Sequence, residues 1–359
     1  MTVRLEKSTL MEKAAGRQVI RDADLSGLDL SGASLAGAVF EKILGRGLIM
    51  TQADLTGASF AESDLSEADF TGGRLIRTNL AGITLAKARM RGTDLTEAFL
   101  AGANLTGVDG FQAEMKGMEA TSCILTGANL RQARLHFANL TDSDLTGADL
   151  TAASLDQTVL SRARVQNVVW QNANLHKAFL DRVDLTGVDL SSCRLIKAHF
   201  DQAKVCQGIF RAADVSQVGF DGADISGADF SQARGWAVGL SRVKAIKTRF
   251  TGTRLEQSDF TDADLTQADF SQASLQRCLL VRSNLKGARL AEADIAYADC
   301  SHADFSGANC TGASLRSANL HRIKQTGAIW TNADMNQAWP TDPDRAESED
   351  WATLIQARI

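Results

Sequence analysis

Between Leu25 and Met335 almost every position divisible by five is apolar, and this period constrains the chain more than any other feature. Of 63 such positions, 33 are Leu, 11 are Phe and 13 are Met, Val, Ile, Trp or Cys. The exceptions are Gly45, Gly110, Ala120, Gly235, Ala245 and Gln325. Two residues earlier lies a second ordered position, Ala in 36 of the 63 pentads and otherwise mostly small. The unit reads as in Ala53-Asp54-Leu55-Thr56-Gly57. A period of five is neither the 3.6 of a helix nor the 2 of a strand. It fits a short extended step followed by a corner. With the central residue called i, residues i−2 and i point inward as in a strand, and i−1 points outward. Residues i+1 and i+2 make the turn, where Gly tolerates positive φ.

Charge sets the size of one coil. Outward residues one coil apart stack about 4.8 Å apart, where opposite charges are favoured. Charged i−1 residues twenty apart form 17 opposite pairs and 2 like pairs. At fifteen the counts are 9 and 5, and at twenty-five 11 and 6, so twenty is selected. The column Asp144, Arg164, Asp184, Lys204, Asp224, Lys244, Asp264 alternates without a break. Ten of the eleven core phenylalanines sit at multiples of ten, as two opposite faces of a four-sided coil require. Sixty-three pentads then make about sixteen coils, a rod roughly 75 Å long.

These pentads resemble the pentapeptide-repeat family over about 310 of the 359 residues. The resemblance implies an all-β fold, a right-handed four-sided parallel β-helix. Three parts are expected: an N-terminal cap over 1–22, the β-helix over 23–337 and a C-terminal capping or dimerisation helix over 338–359. In the first part Lys13 and Gln18 occupy slots that should be small, so a short helix or a degenerate coil is expected. In the last, Asp342 and Pro343 read as a helix start. Trp351, Leu354, Ile355 and Ile359 form one apolar stripe, expected either to fold over the last coil or to contact a second copy, as in the gyrase-binding branch of the family. Gly110-Phe111 and Gly235-Trp236 suggest an aromatic swinging into the gap left in the core, with an exposed aromatic as the alternative.

Chemistry is sparse. Of the five histidines, His136 and His176 fall two coils apart, too far to share a metal, while His199, His302 and His321 lack ligand spacing and read as surface residues. The six cysteines read as reduced structural thiols, with Cys206 alone facing outward. No catalytic site, metal or cofactor is expected, and no enzyme. Net charge is −5, and the four faces sum to 0, −2, +2 and −4, too balanced for nucleic-acid binding. No apolar run spans a membrane and no secretory leader is expected at the N-terminus. The most negative face carries Val39, Phe99, Val159, Phe179 and Leu279 where Asp or Asn is usual. With Trp236, the last four are the candidate partner-docking residues.

The function these features imply is a protein-binding scaffold or adaptor, cytoplasmic and bacterial, with a protein partner and a homodimer through the C-terminal helix as a further candidate. The segments Ala298–Asn309 and Ala318–Arg322 are similar to arrays in type VI secretion accessory proteins, which help load effectors. The alternatives are a DNA-gyrase or topoisomerase regulator acting by DNA mimicry, disfavoured by the alternating charge, and a secreted bacterial effector, since non-classical secretion is not legible.

Overall fold

A computed structural model describes the backbone of residues 3–356 and the side chains of residues 3–351. Two compact units emerge: unit 1 comprises Met1–Asp184 and Ser192–Arg194, and unit 2 comprises Leu185–Ser191 and Leu195–Ile359. In unit 1 the elements are β1 (Val3–Arg4), α1 (Lys7–Ala15), β2 (Ile20–Arg21), β3 (Ala23–Asp24), β4 (Val39–Glu41) and β5 (Ser59–Ala61). β1 pairs with β3, and β2, β4 and β5 form one parallel ladder. The residues expected to cap the array hold α1, with Leu10 buried beneath it. Beyond β5, isolated parallel bridges continue the ladders, each joining residues twenty apart, as in Asp54↔Arg74 and Asp144↔Arg164. One coil therefore takes four pentads. Unit 2 repeats the pattern and ends in α2 (Pro343–Gln356).

The pentad Ala53–Gly57 shows why the unit has five residues. Its amides at Asp54, Leu55 and Gly57 bond to carbonyls of neighbouring coils, at Ala33, Arg74 and Ile76. Ala53 N–H closes the preceding corner onto Met50 O. The Thr56 amide alone has no backbone acceptor, and Asp54 Oδ1 takes it at 3.0 Å. All five donors are thus satisfied, as buried or half-buried amides require. The Asp or Asn at i−1, which the sequence marks only as outward-facing, is a corner clamp. The same bond recurs at Asp94, Asp144, Asp224 and Asn309. Residue i+2 is left-handed whether or not it is Gly: φ is 66° at Gly57 and 57° at Gln52.

The core is a stack of fully buried Leu and Phe. In unit 2 the phenylalanines form two columns. Rings twenty apart stack, with Phe210 and Phe230 at 4.5 Å between centroids, and rings ten apart meet edge-on, with Phe210 and Phe220 at 5.6 Å. Most small-position hydroxyls and thiols are buried with a bond to the preceding coil, as Thr78 Oγ1 donates to Leu55 O and Cys278 Sγ to Leu255 O, while Thr253 and Ser283 donate to Phe250 O and Leu280 O at their own corners.

The gaps at core glycines are filled from inside. A Cβ on Gly235 would lie 2.9 Å from Val215 Cγ2, and one on Gly110 would lie 3.0 Å from Leu130 Cδ2. No room remains for an aromatic to swing inward, contrary to the sequence expectation. Trp236 is 52% exposed, and Phe111 lies on the surface beneath the Arg91 guanidinium.

Candidate functional site

On the face of unit 1 that begins at Phe40, the rungs run Val39, Ser59, Asn79, Phe99, Glu119, Asn139, Val159, Phe179. Phe99 is 49% exposed and Phe179 37%, while Val159 is half-buried on the rung beside Phe179. Phe137, 52% exposed, stands at the corner leading onto this face. Sequence reasoning missed it, although an aromatic in the slot where Gly is the commonest residue was the signal. The apolar rungs cost something local. Each replaces an Asp or Asn whose carboxylate or amide oxygen would clamp the following corner, a bond worth about 1 kcal/mol net. In unit 2, Leu279 is exposed on a rung between Asp259 and Asp299, and Trp236 and Tyr297 are exposed at corners.

The charged rungs form surface ladders. Arg164 meets Asp144 at 2.8 Å, Lys244 meets Asp224 at 2.9 Å and Arg249 meets Asp229 at 3.2 Å. Burial raises the carboxyls of Asp224 and Asp229. The Ser226 and Ser231 bonds and the neighbouring Lys244 and Arg211 outweigh it and hold both at about 2. Fixed charge is thereby neutralised rung by rung.

Ser154 Oγ lies 2.9 Å from His136 Nε2, and Asn174 Nδ2 also reaches the hydroxyl at 3.4 Å, so this serine is one step of a polar ladder. Asp156 occupies the rung between His136 and His176, and its Oδ1 and His176 Nδ1 are buried without hydrogen-bond partners.

The thiols follow the sequence reading. Burial pushes Cys123 up to about 11 and Cys278 and Cys310 up to about 12, and raises Cys300 as well. Cys193 is also buried, and Cys206 is half-buried. Native chain at pH 8 should therefore react with a thiol reagent at Cys206 only, and unfolded chain at all six cysteines. Two or more fast thiols in native chain would show that the coils open.

Trp351 does not pack over the last coil but is 63% exposed. The side chains of Leu354 and Ile355 lie outside the described set, and Ile359 lies outside the described residues. Helix α2 docks through polar groups. Arg322 Nη2 donates to Asp350 Oδ1 at 2.6 Å and Arg322 Nη1 to Ala346 O at 3.1 Å. Glu349 receives Arg345 at 2.9 Å and His321 Nε2 at 3.2 Å. His321 is 2% exposed, not a surface histidine, because α2 lies over it. The core positions of the last coil, Gln325, Trp330 and Met335, stay part or fully exposed. Among the described residues no helix is long and apolar enough to cross a membrane.

The profile for pentapeptide repeats (8 copies) matches residues 20–42, 46–75, 74–109, 120–151, 153–191 and 283–322, and that for the pentapeptide repeat region matches 213–290. No curated protein matches. Among solved structures, a pentapeptide repeat protein from the Arabidopsis thaliana thylakoid lumen is 32% identical over 28% of this chain and 70% of its own, with a TM-score of 0.28. HetL, involved in heterocyst differentiation regulation in Nostoc sp. strain PCC 7120, is 23% identical over 94% and 96%, with a TM-score of 0.17. QnrB1, a plasmid-mediated fluoroquinolone resistance protein, is 13% identical over 64% and 96%, with a TM-score of 0.30. The five-residue core, the twenty-residue coil and profile matches over more than half of its length place the chain in the pentapeptide-repeat family.

Proposed function

We propose that the chain is a non-enzymatic protein-binding scaffold of the bacterial cytoplasm that docks its partner on the Phe40 face of unit 1. One observation supports this above the rest: Phe99, Val159 and Phe179 stand exposed or half-exposed on rungs where a polar residue would have clamped the corner. Exposed apolar groups on a regular scaffold, kept at the expense of local stability, are the mark of a binding surface. Leu279 and Trp236 of unit 2 are secondary docking candidates, and exposed Trp351 supports a homodimer through the C-terminal helix. We also retain the right-handed winding and the sixteen or so coils. A role as a type VI secretion accessory is the narrower form of this reading. DNA mimicry toward a topoisomerase is opposed by ladders such as Arg164–Asp144, which remove the uniform negative field such mimicry needs.

The test exploits the corner clamp. Phe99→Asn and Val159→Asp install residues that clamp the corner at many other pentads, and Asn at 99 avoids a like charge on the rung beside Glu119, so both variants fold and gain up to about 1 kcal/mol. Affinity capture from a bacterial lysate with parent and double variant, read by mass spectrometry, should yield a partner depleted at least tenfold on the variant. Equal recovery on both overturns the docking face. Recovery of gyrase subunits, followed by inhibition of supercoiling, overturns the scaffold reading in favour of an enzyme regulator.

A further inference from the structure

We propose that His302, His321 and Glu349 bind a divalent transition-metal ion, zinc by preference, which fastens helix α2 to the end of the repeat array. His302 Nε2 lies 3.4 Å and His321 Nε2 3.2 Å from the same carboxylate oxygen, Glu349 Oε2. The three donor atoms all fall within 4.8 Å of one another. Donors bound at 2.0–2.1 Å to a tetrahedral ion lie about 3.3 Å apart, so two edges of the tetrahedron are already in place.

The residues are brought together by the repeat. His302 and His321 are nineteen apart, which places a corner residue of one coil beside the next coil's corner, with the rings edge-on at 5.4 Å. Helix α2 then lays Glu349 across both. His321 is almost fully buried and held by bonds at both ring nitrogens, while His302 and Glu349 are each about one-third exposed, so an ion can reach the cluster from solvent. Arg345 Nε donates to the other oxygen, Glu349 Oε1, at 2.9 Å, so Oε2 is the atom turned toward the two imidazoles. Two imidazoles and one carboxylate are a zinc-type set. Calcium and magnesium demand oxygen ligands, which this site does not supply in number.

The proton balance is closed. Without metal, the Asp342 amide donates to His321 Nδ1 at 3.1 Å, so the ring proton sits on Nε2 and is given to Glu349. Taking the ion at Nε2 requires the other tautomer, with the proton on Nδ1 and none released to solvent, so the bond from the Asp342 amide is given up. Asp342 is also the N-cap of α2, accepting from the Asp344 and Arg345 amides. Metal binding therefore reaches the first turn of the helix. Arg322, 3.4 Å from Glu349 Oε2, keeps its shorter bond to Asp350.

This inference stands apart from the docking reading. Full-length chain stripped with chelator is titrated with zinc sulfate by calorimetry, with cobalt(II) as a visible-absorption probe of the same site. His302→Gln and Glu349→Gln remove ligands from part-exposed positions and leave buried His321 in place; His136→Gln is the control. One zinc per chain is expected, with affinity lost at least about 100-fold in both ligand variants and unchanged in the control, since even second-shell changes cost ten- to a hundredfold. Zinc should also slow tryptic cleavage at Arg345 in the parent and not in Glu349→Gln. Less than half an equivalent bound at about 100 μM zinc, or equal affinity in parent and ligand variants, overturns the proposal.

Discussion

Phe220→Ala should lower the stability of unit 2 by about 3–5 kcal/mol, read as a shift in the urea midpoint at constant slope. The ring is fully buried. It stacks on Phe200 at 5.2 Å and meets Phe210 and Phe230 edge-on, at 5.6 Å in each case. Such ring pairs add about 0.5–1.5 kcal/mol beyond burial alone. The cavity cannot close readily, because the surrounding backbone is fixed on both sides. Phe220 N–H bonds to Gly239 O in the next coil, and Phe200 N–H bonds to Gly219 O in this one. Phe220→Leu, which installs the commonest residue of this slot, keeps most of the volume and should cost under about 1.5 kcal/mol. Coils contact only their neighbours, so the loss should appear in the transition of unit 2. An alanine variant within about 1 kcal/mol of the parent would show that the coil shrinks onto the cavity after all.

The fold was legible because its physics is periodic. One slot per pentad must be large and apolar, one small, and charges twenty apart must alternate, so 63 repetitions report one geometry. What repeats without variation in hydropathy was harder to read. Asp54 looked like a surface residue, and only the accounting of amide donors shows it closing a corner through Thr56 N–H. Gly235 looked like a hole, but Val215 from the neighbouring coil already fills it. The C-terminal end was least legible because the period stops there. A stripe of apolar residues suggested either a cover for the last coil or a contact with a second copy; its one described side chain, Trp351, faces outward, and α2 is held by Arg322, His321 and Glu349. The His302–His321 pairing could be found once twenty residues defined the coil. Glu349, outside the array, obeys no spacing rule.

The docking face can be tested by geometry without altering a docking residue. Deleting residues 101–120 removes one coil and joins Leu100 to Thr121 in phase, leaving the five-residue core unbroken. Phe99 and Val159, sixty residues apart in the chain, become forty apart and remain in one column. Deleting residues 101–110 also keeps the core phase, joining Leu100 to Phe111, but the same pair becomes fifty apart. Fifty is two and a half coils, so Phe99 and Val159 move to opposite faces. The new seams are harmless: the longer deletion sets Asp94 against Arg134, and the shorter sets Arg89 against Glu119. Both shortened chains should keep the parent's far-ultraviolet circular dichroism and melt within a few degrees of it, because loss of a middle repeat removes one repeat and one neighbour interface. Binding should diverge sharply. The twenty-residue deletion retains the partner captured by the parent, while the ten-residue deletion loses it at least tenfold, as a continuous surface split across a body must. Equal binding by both folded chains would mean that Phe99 and the Val159–Phe179 pair act separately, and the single docking surface would have to be abandoned.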